Sequence, residues 1–143
     1  MEAKKITVKN KPEQLDHIRE FIEQLGPEWG LDAAYVFRLN LVLEEYINNL
    51  ISYGFSDQLP HEITIEVSNE YSKLIVVVVD DGNPFDITHF PENAEIDKPL
   101  EERKIGGLGI HFIRTLTDQM DYKIEGSFNK LTFVLLPERQ SNE

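Results

Sequence analysis

The segment Glu44-Glu45-Tyr46-Ile47-Asn48-Asn49 carries two carboxylates and two carboxamides at intervals of one helical turn. On a helix, Glu45 and Asn49 stand at i and i+4 and project from one face. A carboxamide oxygen is a neutral hard ligand suited to Mg²⁺ beside phosphates, and a nearby carboxylate can take a proton from an attacking hydroxyl or water. Glu44 and Asn48 repeat the same interval, and the segment alone reads more readily as a solvated helix face. Asp80-Asp81-Gly82 follows an apolar β-branched run, which places carboxylates at a strand end where ligands commonly sit. An Asp there can accept a hydrogen bond from an exocyclic amine, and the glycine lets a flat ring approach the main chain. Asp81-Gly82-Asn83-Pro84 is also an ordinary turn former. Gly106-Gly107-Leu108-Gly109 opens a third segment, where inward backbone N–H groups and a helix N-terminus favour anionic oxygens. It lacks both the Lys-Ser/Thr ending of a P-loop and the strand-to-helix context of a dinucleotide fingerprint. Arg103 and Lys104 just before it are cations able to offset phosphate charge.

These groups need elements to hold them. Lys4 to Lys9 alternates with Ile6 and Val8 on one face, as a strand does, and after Pro12 the residues Leu15, Ile18, Phe21, Ile22 and Leu25 recur at helical spacing. Gly26-Pro27 is expected to end that helix. Asp32 reads as the N-cap of a long second helix whose stripe of Val36, Leu39, Val42, Leu43, Tyr46, Ile47 and Leu50 stops near Gly54. His61 to Ser68 alternates as a strand. After Asn69-Glu70, the unbroken run Leu74 to Val79 has the pattern of a strand buried on both faces and central in its sheet. Between Asp81 and Lys104 no period is sustained and Pro84, Pro91 and Pro99 intervene, so this stretch reads as a long loop. The glycine segment then opens a short helix carrying Ile110, Ile113 and Leu116. Strands Tyr122 to Glu125 and Leu131 to Leu136 follow, joined by Gly126-Ser127-Phe128-Asn129, and the tail from Glu138 is expected to fray. With no internal repeat or linker, one domain over residues 1–143 is expected.

The totals narrow the chemistry. A chain of 143 residues, 41% hydrophobic, can bury a core without staples, and zero cysteines exclude a disulfide framework and a thiolate metal site. No apolar stretch near the N-terminus suits export and none approaches the roughly 20 residues of a membrane span, so the cytoplasm is the expected compartment. A net charge of -12 repels polyanions, which argues against nucleic acid and anionic membranes as partners. The same field opposes a nucleotide, so such a site must bring Mg²⁺ and backbone N–H groups to compensate. His61, His89 and His111 lack metal-ligand spacing.

The order of helix Glu-x-x-x-Asn, strand-end Asp-x-Gly, long loop, Gly-x-Gly and a final Thr-bearing strand resembles the GHKL ATP-binding domain, the Bergerat fold, over nearly the whole chain. Within it, Glu45 to Phe55 (EYINNLISYGF), Asp80 to Asp86 (DDGNPFD) and Gly106 to Ile110 (GGLGI) look most like the anti-sigma-factor serine/threonine kinases. The resemblance implies an α+β two-layer sandwich, a mixed, mostly antiparallel sheet covered on one face by helices. It gives Glu45 the general-base position, Asn49 the Mg²⁺ position, Asp80 the adenine contact and Gly82 the ring-side backbone. Gly107 and Gly109 take the phosphate turn, with Lys104, Gly106 and Leu108 in the same ATP-binding stretch. Phe85 to Ile105 takes the place of the ATP lid. Thr132 takes that of a last-strand Thr near the adenine, with Leu131 as the alternative register. The Tyr-Gly-Phe at 53–55 fits only when Asn49, not Asn48, is the metal residue. Two positions depart from the pattern: Tyr53 stands where the best-known kinases of this type carry His, and Glu44 where they carry Ser. Glu44 is a second carboxylate, able to raise the pKa of Glu45 or to take over its role.

By resemblance, the function implied is a Mg·ATP-dependent protein serine/threonine kinase acting as an anti-sigma factor in a partner-switching pathway. Its substrate would be a small antagonist protein with an acceptor Ser or Thr, its competing partner a sigma factor, and its first helix and strand a homodimer contact. The alternative is an ATP-binding module that sequesters a partner without phosphoryl transfer. The catalytic half of a histidine kinase would need an upstream phosphoacceptor, and His17, with no following Pro, reads as a solvent-facing helix residue.

Overall fold

The computed structural model describes residues 2–89 and 107–137. Strand β1 (Glu2–Lys9) leads through a 3-10 turn at Pro12–Gln14 into helices α1 (Leu15–Trp29) and α2 (Ala33–Tyr53). A hairpin of β2 (Glu62–Glu70) and β3 (Lys73–Asp80) follows, then a 3-10 turn at Ile87–His89, helix α3 (Gly107–Leu116) and the hairpin of β4 (Gln119–Glu125) and β5 (Phe128–Leu135). The sheet order is β1-β2-β3-β5-β4. β3 and β4 run in the same direction, but β5 lies between them, so every neighbouring pair is antiparallel. Among the described residues, no helix is long and apolar enough to cross a membrane.

The three helices pack on one face of this sheet, which makes the α+β two-layer arrangement. Ile63, Ile65 and Val67 of β2, Leu74, Val76 and Val78 of β3, and Leu131, Phe133 and Leu135 of β5 meet Ile18 and Ile22 of α1, Leu39, Leu43, Tyr46 and Ile47 of α2, and Ile113 of α3. The central position expected for the Leu74 to Val79 run holds, but burial on both faces does not. Leu74, Val76 and Val78 are buried, whereas Ile75, Val77 and Val79 are only half-buried, on the face that no helix covers among the described residues.

Helix α1 also differs from its sequence pattern, for it continues through Gly26-Pro27 to Trp29. A proline this near the C-terminus forfeits a single backbone bond. The last turn is closed instead by Gly30, whose φ of 66° is left-handed, and by the N–H groups of Gly30 and Leu31, both donating to Gly26 O. Helix α2 begins where expected: the Asp32 carboxylate accepts the N–H of Tyr35 at 2.8 Å, and Gly54 caps the other end. The β2–β3 turn falls on Tyr71-Ser72, one step beyond Asn69-Glu70, and both residues have positive φ, 51° and 64°. Two left-handed residues match the twist of a two-residue hairpin, and this pair lacks the Asn-Gly signature that marks it in a sequence. The β4–β5 turn is likewise shorter than its four-residue reading, because β5 already begins at Phe128.

Candidate functional site

Helix α2 distinguishes the two carboxylate-amide pairs that its sequence offers. Asn48 is exposed, whereas Asn49 is buried, with 4% of its surface accessible. Asn49 Nδ2 donates to Glu45 O at 2.7 Å, which leaves Oδ1 as the acceptor that the amide presents. Glu44 turns the other way, its Oε1 taking Arg19 Nε at 2.8 Å and Nη2 at 2.6 Å from helix α1. It is thereby committed to an inter-helix ion pair. Glu45 is half-buried, and among the described residues nothing hydrogen-bonds to its carboxylate. Burial raises its pKa above the usual carboxylate value, and the charge of Glu44 adds to the rise.

Helix α3 presses onto this pair. A β-carbon built on Gly109 would stand 2.5 Å from Glu45 Oε2 and 3.1 Å from Asn49 Nδ2, so the glycine lets the first turn of α3 lie this close without displacing the Glu45 carboxylate. The positive end of the α3 backbone is therefore beside an ionisable carboxylate and the side-chain amide of Asn49, a combination of groups that can hold phosphate oxygens and a hard cation together.

Asp80 ends β3 on the helix-covered face and is 1% exposed. Its Oδ2 accepts the Gly82 N–H at 2.8 Å and Asn129 Nδ2 at 3.1 Å. Its Oδ1 is buried with no hydrogen-bond partner among the described residues. A carboxylate oxygen removed from water and unpaired costs about 1–3 kcal/mol, so this atom calls for a donor such as an exocyclic amine. Burial raises the Asp80 pKa, and the two N–H donors oppose that rise.

Gly82 has a structural duty that its sequence does not disclose. A β-carbon there would run into Gly54 O and the ring of Phe55, and the Asn83 N–H donates to the same Gly54 O at 2.7 Å. The Asp-Gly-Asn turn is thus docked on the C-terminal end of α2. His61 ties the two together from outside: Nδ1 meets Asp81 Oδ1 at 2.8 Å and Nε2 meets Asp57 Oδ1 at 2.8 Å, while the ring stacks on Phe55 at 4.7 Å. Phe85, past the turn, stacks on Tyr46 of α2 with ring centroids 6.4 Å apart.

Glu45, Asn49, Asp80, Gly82 and Gly109 are therefore linked through α2. Thr132 is not part of that group. It pairs with Val77 and alternates with buried Leu131 and Phe133, which puts it on the uncovered face of the sheet, while Leu131 is a core residue. The residue that β5 sets opposite Asp80 is Asn129. Asn129 and its neighbour Tyr122 escaped the sequence reading because Asn129 has the character of a turn residue and only the start of β5 at Phe128 places it in register. Gly107 opens α3. Lys104, Gly106 and most of the expected lid, residues 90–105, lie outside the described residues, as do the Leu108 side chain and the tail from Glu138.

Comparison with known proteins points the same way. The profile of the histidine kinase-like ATPase domain matches residues 8–135. The serine-protein kinase RsbW of Listeria innocua serovar 6a is 27% identical over 136 residues, covering 93% of this chain and 87% of that protein. The serine-protein kinase RsbW of Halalkalibacterium halodurans is 24% identical over 125 residues, covering 85% and 76% respectively. The solved RsbU and RsbW domains of a Mycobacterium tuberculosis protein superpose with a TM-score of 0.67 at 12% identity, over 95% of this chain and 32% of that longer one. The histidine kinase domain from Erythrobacter litoralis EL346 gives 0.50 at 17% identity, over 87% and 59%. At these identities the two structures speak to the fold.

Proposed function

Because the chain belongs to the histidine kinase-like ATPase domain family, we propose that it is a Mg·ATP-dependent protein serine/threonine kinase acting as an anti-sigma factor. Its substrate in this reading is a small antagonist protein, with a sigma factor as the competing partner, and the RsbW relatives carry the serine-kinase part of it. The observation that supports it most is the seating of Gly109 on Glu45 and Asn49, which gathers a base, an amide ligand and a helix N-terminus in one place.

Asp80 Oδ1 accepts the adenine amine, and the first turn of α3 with Gly107 and Gly109 faces the phosphates. Lys104, Gly106 and Leu108 belong to the same phosphate-side stretch. Asn49 Oδ1 is the protein ligand for Mg²⁺, which when bound offsets charge on the phosphate oxygens. Glu45 orients the acceptor hydroxyl and takes its proton as the oxygen attacks the γ-phosphorus; the bond to the β–γ bridging oxygen breaks and ADP leaves. The raised pKa of Glu45 brings it nearer the value that a general base needs at neutral pH. Glu44 does not compete for this role, because Arg19 holds it.

Transfer from labelled ATP to a candidate antagonist, with Glu45→Gln as the control, tests the reading. Loss of the phosphoprotein with nucleotide binding retained is the expected result. Tight ATP binding with no phosphoprotein from the wild type would favour the sequestering module instead, and no binding of Mg·ATP at all would end both.

A further inference from the structure

The network beneath Asp80 has only one consistent direction. The Phe85 N–H can only donate, so Tyr122 Oη accepts it at 3.0 Å, and the single hydroxyl hydrogen is left for Asn129 Oδ1 at 2.9 Å. Asn129 Nδ2 then faces Asp80 Oδ2 at 3.1 Å and Gly82 O at 2.9 Å, one hydrogen for each. Turning the amide over would set its oxygen against a carboxylate and a carbonyl inside a site where Asn129 itself is 4% exposed. Along the relay Phe85–Tyr122–Asn129–Asp80 the Phe85 N–H and the side-chain polar atoms of the other three are thereby engaged except Asp80 Oδ1, which is buried and has no partner among the described residues.

We propose that Asn129 and Tyr122 are positioning residues that make this site selective for a 6-aminopurine, by occupying Asp80 Oδ2 and leaving Oδ1 as a lone acceptor. This rests on the ATP reading above. A bare carboxylate oxygen pairs with an amino group and repels the 6-carbonyl of a hypoxanthine or guanine base, so the selectivity comes from what the oxygen cannot do. The two N–H donors also favour the charged carboxylate against its burial. Without Asn129 the carboxyl protonates more readily, and a protonated oxygen could donate to a 6-carbonyl.

The relay also ties base recognition to the segment that leaves the site, because Phe85 anchors Tyr122 from one side and stacks on Tyr46 from the other. Asn129 touches Asp80, Tyr122 touches Asn129, and their role is to aim an oxygen at the base.

The test is calorimetric titration of the full chain with Mg²⁺ complexes of ATP, ITP and purine riboside triphosphate, for the wild type, Tyr122→Phe and Asn129→Leu. The wild type is expected to prefer ATP to ITP by at least about 100-fold, with the unsubstituted purine between them. Both variants are expected to shrink the ATP/ITP ratio by about tenfold or more, and more strongly at lower pH. Variants that melt cooperatively and weaken ATP and ITP by the same factor would overturn the proposal, since a purely structural role leaves the ratio alone. Should Asn129→Leu not fold, Tyr122→Phe, which loses one oxygen atom, decides the matter by the same ratio. A wild type binding ATP and ITP equally overturns this inference alone, whereas one binding none of the three refutes the nucleotide reading beneath it.

Discussion

Gly109 of α3 lies directly over Glu45 of α2, so close that a β-carbon on the glycine would stand 2.5 Å from Glu45 Oε2. The two residues are far apart in the chain and belong to different motifs. Their contact means that the size of residue 109 sets the place of the carboxylate.

Gly109→Ala tests this. The obstructed atom is the far end of a flexible side chain, so the helix can stay and the carboxylate must move. Stability is expected to change by no more than about 1 kcal/mol, since alanine is also the better helix former. Phosphoryl transfer is expected to fall by about tenfold or more through misplacement of the base. Denaturant unfolding and single-turnover transfer, measured together, check both halves, and an alanine variant with full transfer would remove Glu45 from the chemistry.

His61 makes stability depend on pH. Both ring nitrogens face carboxylates, which requires the imidazolium; hydrogen bonding to Asp57 and then Asp81 raises the His61 pKa above 6.5, and the same bond to His61 holds Asp57 below 3.8. A raised histidine pKa gives stabilisation that is in full below its unfolded value near 6.5 and is lost as pH rises through the folded value. At the acid end the contribution disappears as pH falls through the depressed value of Asp57. Melting the wild type and His61→Gln from about pH 5 to 9 should show the gap between them closing as pH rises. A constant gap would mean that the ring acts by its stacking on Phe55 alone.

Arg19→Ala should move the pH profile of transfer. The Arg19 side chain is half exposed, so loss of its ion pair is expected to cost little stability. Glu44, freed of its partner, then adds more negative field at Glu45, whose pKa the neighbouring charge already raises. The acid limb of kcat should shift to higher pH, because the base must ionise against a stronger field. An unshifted limb in a folded variant would show that Glu44 and Glu45 do not sense each other.

The hairpin turn is improvable. Tyr71 and Ser72 both hold positive φ, and Tyr71 is 91% exposed, so its ring contributes almost nothing to packing. Replacing the pair by Asn-Gly should raise stability by about 1 kcal/mol, because those residues adopt left-handed backbone with less strain. Chemical denaturation measures it, and a loss of stability would show that the tyrosine ring packs against something in solution.

Much of this architecture was legible as local pattern. The apolar stripe from Val36 to Leu50 set the face of α2, and with it the inward position of Asn49; the β-branched run ending at Val79 put Asp80 at a strand terminus; Asp32 and Gly54 marked helix limits. Periodicity carries such features because they depend on residues a few positions apart. The same logic failed at Pro27, where closure by Gly30 outweighed one lost backbone bond, and at Tyr71-Ser72, where the turn lacks its usual residues.

The residues alone established a helix face, a strand end and a glycine-opened helix, with the chemistry that each could perform. Tertiary structure decided how they meet. It placed Asn129 rather than Thr132 opposite Asp80, gave Glu44 to Arg19, and left Ile75, Val77 and Val79 on the half-buried face of β3. These outcomes turn on inter-strand register and on packing between distant segments, and a one-residue shift in β5 would have turned Asn129 to the uncovered face.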